Sequence, residues 1–309
     1  MDCRHSRLAM RSARGFTLVE IVVVLLIVSV LIAMAAAMTR GVVAAQQRTL
    51  TSTRMAGIDA ALAQFVATQK RLPCPAVGTR GPGDSQLGTE ENRASTGCTG
   101  NQQNGIVPFR ALGLVEIDAL DGWGHRLTYR VDPQLASDVA MDMSNCDPAG
   151  SQPAVTSGGA YFICLTGCVA GNMATCTSPA NFLTRNNPTA DATKWGKGLL
   201  VKSVAGAPVM NPNLAIVPPT GAAYVVISGG ETGGGVFQPS GNVGTSTTID
   251  GTEEARNYAT APFSGQTITY YLDDTANSVS GATHFDDITS HPSVFSVLTR
   301  AGLGPRAHN

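Results

Sequence analysis

An apolar run from Phe16 to Met38, interrupted by one ionisable side chain, Glu20, sets the first constraint on this chain. As a helix rising 1.5 Å per residue it would reach roughly 35 Å, enough for a hydrocarbon core of about 30 Å. Arg4, Arg7, Arg11 and Arg14 precede the run, against Asp2 alone. Basic flanks stay on the cytoplasmic side, so the N-terminus is expected there and the body outside. A cleaved secretory signal would have a shorter apolar core, about 7–15 residues, followed by a small-residue site. Ala35–Ala37 could imitate such a site, and that alternative stays open. Glu20 needs its own account, because an ionised carboxylate in hydrocarbon costs several kcal/mol without a partner. An incidental glutamate would snorkel to the interface or take a proton.

Helical periodicity continues beyond the apolar run. Val42, Val43, Leu50, Met55, Ile58, Leu62, Phe65 and Val66 recur mostly at three- and four-residue steps, and no proline occurs before Pro73. These features predict one helix from about Thr17 to Lys70, apolar all round at first and amphipathic afterwards. The amphipathic half is expected to lie on a sheet. Lys70-Arg71-Leu72-Pro73-Cys74-Pro75-Ala76 ends it, because neither proline can continue a helix.

The rest of the chain reads as short strands and turns. Of 309 residues, 34 are Gly and 17 are Pro, concentrated after Leu72, while charged residues are only 14%. A loop is expected over about 78–104. A half-buried strand is expected from the alternation of Leu127, Tyr129 and Val131. The near-continuous apolar run Ala222–Ser228 predicts a central strand, and Gln266–Leu272 has strand composition. His284 to Leu298 reads as a last strand and a short helix. Six cysteines follow the apolar segment: Cys74, Cys98, Cys146, Cys164, Cys168 and Cys176. An even number in an exported body predicts disulfides, Cys74–Cys98 first, then Cys168–Cys176 and Cys146–Cys164. Free buried thiols or a metal site are the alternatives. Residues 136–190 read as a Cys-rich insertion around a strand at 160–165.

The segment Arg14-Gly15-Phe16-Thr17-Leu18-Val19-Glu20 carries a specific resemblance. It resembles the N-terminal signal of type IV pilins and type II secretion pseudopilins: a short basic leader ending in Gly, then Phe-Thr-Leu-x-Glu and an apolar run. The resemblance implies cleavage between Gly15 and Phe16 by a prepilin peptidase and N-methylation of Phe16. It implies that Glu20 meets the Phe16 amine of a neighbouring subunit during assembly. A charge without a partner in its own chain would then test for a correctly docked neighbour. Leu72–Ala76, Gly105–Leu114 and Asp121-Gly122-Trp123-Gly124 are similar to elements of large-bodied prepilin-like proteins.

The implied fold is α+β and pilin-like. A cleaved leader at 1–15 precedes a long helix at 16–71, transmembrane over 16–38, packed on an antiparallel sheet in a loop-rich periplasmic body at 72–309. The implied partners are the prepilin peptidase, other pilin or pseudopilin subunits and an inner-membrane assembly platform. The implied location is the inner membrane and then a pilus or pseudopilus. No cofactor and no catalytic residue is expected. The acidic body without basic clusters speaks against nucleic acid. A tip adhesin on the same scaffold, or a membrane-anchored periplasmic enzyme, are the competing readings.

Two further features remain. Gly229–Gly235 follows a strand but lacks the Gly-Lys-Ser/Thr ending of a phosphate loop, so a turn is expected. Asp273, Asp274, His284, Asp286, Asp287 and His291 cluster near the C-terminus. Major pseudopilins hold calcium in a loop, which makes Asp286 and Asp287 the candidates here. No alternating Asp-x-Asp-x-Asp loop is present, and carboxylates in turns more often cap backbone amides. No metal site is therefore expected. Trp123 is expected in the core.

Overall fold

A computed structural model describes residues 17–95, 97–98, 104–143, 182–183, 196–213, 215, 220–245, 251, 254–258, 270–277, 281 and 283–304. The chain divides into two compact units, one up to Gln46 and one from Gln47. Helix α1 covers Leu18–Gln69 without interruption. Nothing in its sequence breaks the hydrogen-bond ladder, since proline is absent and Gly41 and Gly57 face open space. Lys70 then adopts a left-handed conformation at φ 57°, its N–H bonded to the Val66 carbonyl, and the chain turns into Arg71-Leu72-Pro73.

In the first unit the large apolar side chains of α1 from Leu18 to Met34 are all exposed, from 44% at Val28 to 80% at Leu18. Among the described residues no helix is long and apolar enough to cross a membrane by itself. The described run Leu18–Met34 is about 25 Å long, short of the hydrocarbon core.

Among the described residues the second unit contains nine strands: β1 (Arg93–Ala94), β2 (Gly97–Cys98), β3 (Asn104–Ile106), β4 (Thr128–Val131), β5 (Leu200–Lys202), β6 (Pro208–Met210), β7 (Tyr224–Ser228), β8 (Tyr270–Leu272) and β9 (Ile288–Ser290). A short helix, α2 (Val294–Arg300), follows β9, with Ser293 capping its start. Its main sheet has the order β3-β4-β7-β9 and is antiparallel throughout. Met55, Ile58, Leu62 and Val66 of α1 are buried in one core with Tyr129, Val131, Tyr224, Val226 and the apolar side chains of α2. Helix and sheet are also joined by hydrogen bonds. Asp59 accepts from the Tyr224 hydroxyl at 2.9 Å and from Ser290 Oγ at 2.7 Å. Burial pushes the Asp59 carboxyl above the usual carboxylate range.

The expected half-buried strand is instead fully buried. Every residue of β4 is covered, including Thr128 and Arg130, whose alternation had read as a solvent face. A second sheet, in the order β6-β5-β8, accounts for this. Its Val201 and Tyr271 pack with Val225 and Ile227 from the far face of β7. The Arg130 guanidinium lies 5.1 Å from the Tyr271 ring centre and donates to the Tyr258 carbonyl. Desolvation there lowers its pKa. In this sheet β5 and β8 run parallel, so the body is not antiparallel throughout.

The Asp121-Gly122-Trp123-Gly124-His125 element ties the sheet to α1. Asp121 is almost fully buried. Its Oδ1 accepts from the N–H groups of Trp123 (2.9 Å) and His125 (2.8 Å), and its Oδ2 accepts from Ser228 Oγ (2.7 Å). That carboxylate also raises the pKa of His125, whose Nδ1 lies 3.4 Å away. Arg54 of α1 donates to the carbonyls of Leu120 and Asp121. The Gly122 N–H donates to Thr51 Oγ at 2.8 Å, and a Cβ at Gly122 would sit 2.2 Å from the Gln47 carbonyl oxygen. Glycine is required because two backbones meet there. Trp123 itself is half-buried, not core. The element works through the backbone and Asp121 rather than through the indole.

The helix exit is crosslinked. Cys74 and Cys98, the pair favoured from the sequence, form a disulfide. Beside it Arg71 makes a two-pronged pair with Glu90, whose Oε1 also accepts from the Cys74 N–H. Within the stretch expected as a loop over 78–104, β1 and β2 pair. Cys146, Cys164, Cys168 and Cys176, and the strand expected at 160–165, lie outside the described residues.

Candidate processing and assembly site

The first turn of α1 explains how Glu20 is held. Thr17 stands just before the helix and Glu20 three residues on. The Thr17 N–H and Thr17 Oγ1 both donate to Glu20 Oε2 at 3.0 Å, and the Glu20 N–H donates back to Thr17 Oγ1 at 3.3 Å. This reciprocal arrangement is a capping box, which satisfies backbone donors at a helix start. Glu20 therefore has a partner in its own chain, contrary to the sequence expectation that it has none. Both bonds fall on Oε2. Among the described residues Oε1 takes none. The Thr-x-x-Glu spacing ahead of an apolar run was a visible signal for this cap. Gly15 and Phe16 lie outside the described residues.

The C-terminal acidic cluster separates in space. Asp273 accepts from Thr289 Oγ1 at 2.6 Å and pairs with His291 Nε2 at 2.9 Å. Asp274 receives the N–H groups of Val204 and Thr275. Asp286 and Asp287, as neighbours in an extended segment, point to different partners. Asp287 Oδ2 accepts from Asn257 Nδ2 at 2.8 Å. Asp286 takes bonds from the Thr232 N–H (2.9 Å) and Thr232 Oγ1 (3.1 Å). His284 Nδ1 lies 3.0 Å from Glu254 Oε2, and Glu254 Oε1 accepts from the Asp286 N–H. Of the six residues that cluster in sequence, His284 and Asp286 thus meet around Glu254, about thirty residues earlier. Burial, with Glu254 alongside, pushes the Asp286 carboxyl up to about 6. The Gly229–Gly235 stretch is a turn, as expected.

Residues 10–36 match the family model of the prokaryotic N-terminal methylation motif. No curated protein and no solved structure matches the chain. The motif covers Gly15, Phe16, the Thr17–Glu20 cap and the exposed apolar face that follows. With the α+β body behind it, the N-terminus of this chain is a prepilin-type signal, the signal of type IV pilins and pseudopilins.

Proposed function

We propose that this chain is a minor pilin or pseudopilin subunit, a structural protein rather than an enzyme. A prepilin peptidase cuts it between Gly15 and Phe16 and the new Phe16 amine is methylated. Before assembly it sits in the inner membrane through residues 16–38, with its N-terminus cytoplasmic and residues 72–309 periplasmic. It then joins a type IV pilus or a type II secretion pseudopilus through α1. The observation that carries this reading is the methylation motif on a helix whose large apolar side chains from Leu18 to Met34 are all uncovered. Such a face, about 25 Å long, calls for lipid or for the helices of other subunits. A body of this size suits a minor or tip position, because a bulky head is hard to repeat at every step of a tight helical array.

The cap refines the role of Glu20. Thr17 holds one carboxylate oxygen and makes no bond to the other, so the carboxylate is positioned before a neighbour arrives. Cleavage after Gly15 leaves the Thr17 N–H in a peptide bond, so the cap survives processing. The charge on Glu20, and not its hydrogen-bonding capacity alone, is what a neighbouring amine would read. Glu20→Gln keeps an acceptor for Thr17 and removes the charge. It should be cleaved normally yet enter filaments more than tenfold less, since an unmatched amine in an apolar core costs a few kcal/mol. Immunoblots of sheared filaments against whole cells give the ratio. Incorporation of Glu20→Gln at the wild-type level would show that no charge pair forms.

A further inference from the structure

Three side chains that the filament reading does not use converge beneath the Gly229–Gly235 turn. Glu254 comes from the 3₁₀ turn Glu254–Asn257. His284 and Asp286 flank the buried Phe285, whose backbone bridges to Asn277 in extended form, so both lie on the same side of the segment. Glu254, His284 and Asp286 are 2%, 5% and 5% exposed. Each offers a ligand atom, and these atoms all lie within 4.8 Å of one another.

From this geometry we infer that Glu254, His284 and Asp286 bind one divalent cation of the zinc and manganese class. Two carboxylates held side by side out of water repel each other, and a cation between them removes that cost. Both are already fixed in place. Glu254 accepts from the N–H groups of Gly251 (2.9 Å) and Asp286 (2.8 Å), and Asp286 is held by both donors of Thr232. Such outer bonds orient ligands before a metal arrives. The turn above packs directly on Asp286: Gly230 has φ 56°, and a Cβ there would lie 2.7 Å from the Asp286 carboxyl carbon. The imidazole decides the metal class. Calcium takes six to eight oxygens, whereas one histidine with two carboxylates suits zinc or manganese and leaves a position for water. Asp287, turned toward Asn257, is not a ligand. The ion would clamp the Gly-rich turn, the 3₁₀ turn and the segment leading into β9.

The test uses the full chain in detergent, stripped with chelator and titrated separately with ZnCl2, MnCl2 and CaCl2 by calorimetry. One equivalent of Zn2+ or Mn2+ should bind, with a rise in the thermal midpoint, and Ca2+ should bind far more weakly. Glu254→Gln and His284→Gln should each lower the affinity by about 100-fold or more. X-ray absorption at the zinc edge of the wild-type protein should show an imidazole and oxygen donors, and this holds the test open if a variant fails to fold. Absence of stoichiometric Zn2+ and Mn2+ binding would overturn the inference. So would a sulfur shell, or undiminished binding by folded His284→Gln.

Discussion

Asp121→Ala should destabilise the body by about 3 kcal/mol or more, a large share of the stability of an ordinary domain. The carboxylate is buried and receives three hydrogen bonds, from Trp123, His125 and Ser228. Removing it leaves two backbone donors without their acceptor in a region closed to water. The loss also loosens the turn that sets Gly122 against α1, where Thr51 Oγ receives the Gly122 N–H. Helix and sheet would then lose a joint as well as a set of bonds. Asp121→Asn should cost about 1 kcal/mol, because its amide oxygen still accepts from both N–H groups and its NH2 can donate to Ser228 Oγ. Urea unfolding followed by near-UV circular dichroism measures both. Equal, small losses in the two variants would mean that the turn is held by packing and not by this carboxylate.

The second large effect concerns the helix exit. Replacing Cys74 and Cys98 together by alanine should cost about 3–4 kcal/mol. The two are 24 residues apart, and a crosslink over that separation removes a corresponding entropy from the unfolded chain. Both sulfurs are buried, so the lost packing adds to the loss. The Arg71–Glu90 pair stays and keeps the Cys74 N–H bonded, so the local path of the chain should survive. The measured quantity is the difference in unfolding free energy between wild type and the double variant under oxidising conditions. With a reductant present, wild type should shift toward the variant. A double variant within 1 kcal/mol of wild type would show that the bridge adds little to the fold.

Much of this architecture was legible because it is local. The stepwise apolar residues and the missing proline define α1, and Pro73 with Pro75 ends it. The near-continuous apolar run Ala222–Ser228 announces a central strand, and the strand Tyr224–Ser228 is buried at every residue. The full burial of β4 was not legible. Thr128 and Arg130 occupy alternate positions and read as a wet face, and the strands that cover them come about 70 and 140 residues later. Periodicity reports one face of a strand and carries no information about what distant chain lies on the other.

The polar clusters divide the same way. The Thr17–Glu20 cap is a four-residue pattern and needed only the spacing. Asp286 and Asp287 looked equivalent as a pair, yet consecutive residues in an extended chain face opposite ways, and only Asp286 meets His284 and Glu254. Nothing near Glu254 in sequence marks it, because its partners arrive through tertiary packing.

The measurement that bears most directly on the account is the mass of the N-terminal peptide after expression with and without a prepilin peptidase. With the peptidase the chain should begin at Phe16 and carry one added methyl on its amine. Without it, the leader through Gly15 should remain. A chain that keeps its leader in both cases, or that is cut near Ala35–Ala37, would contradict the account.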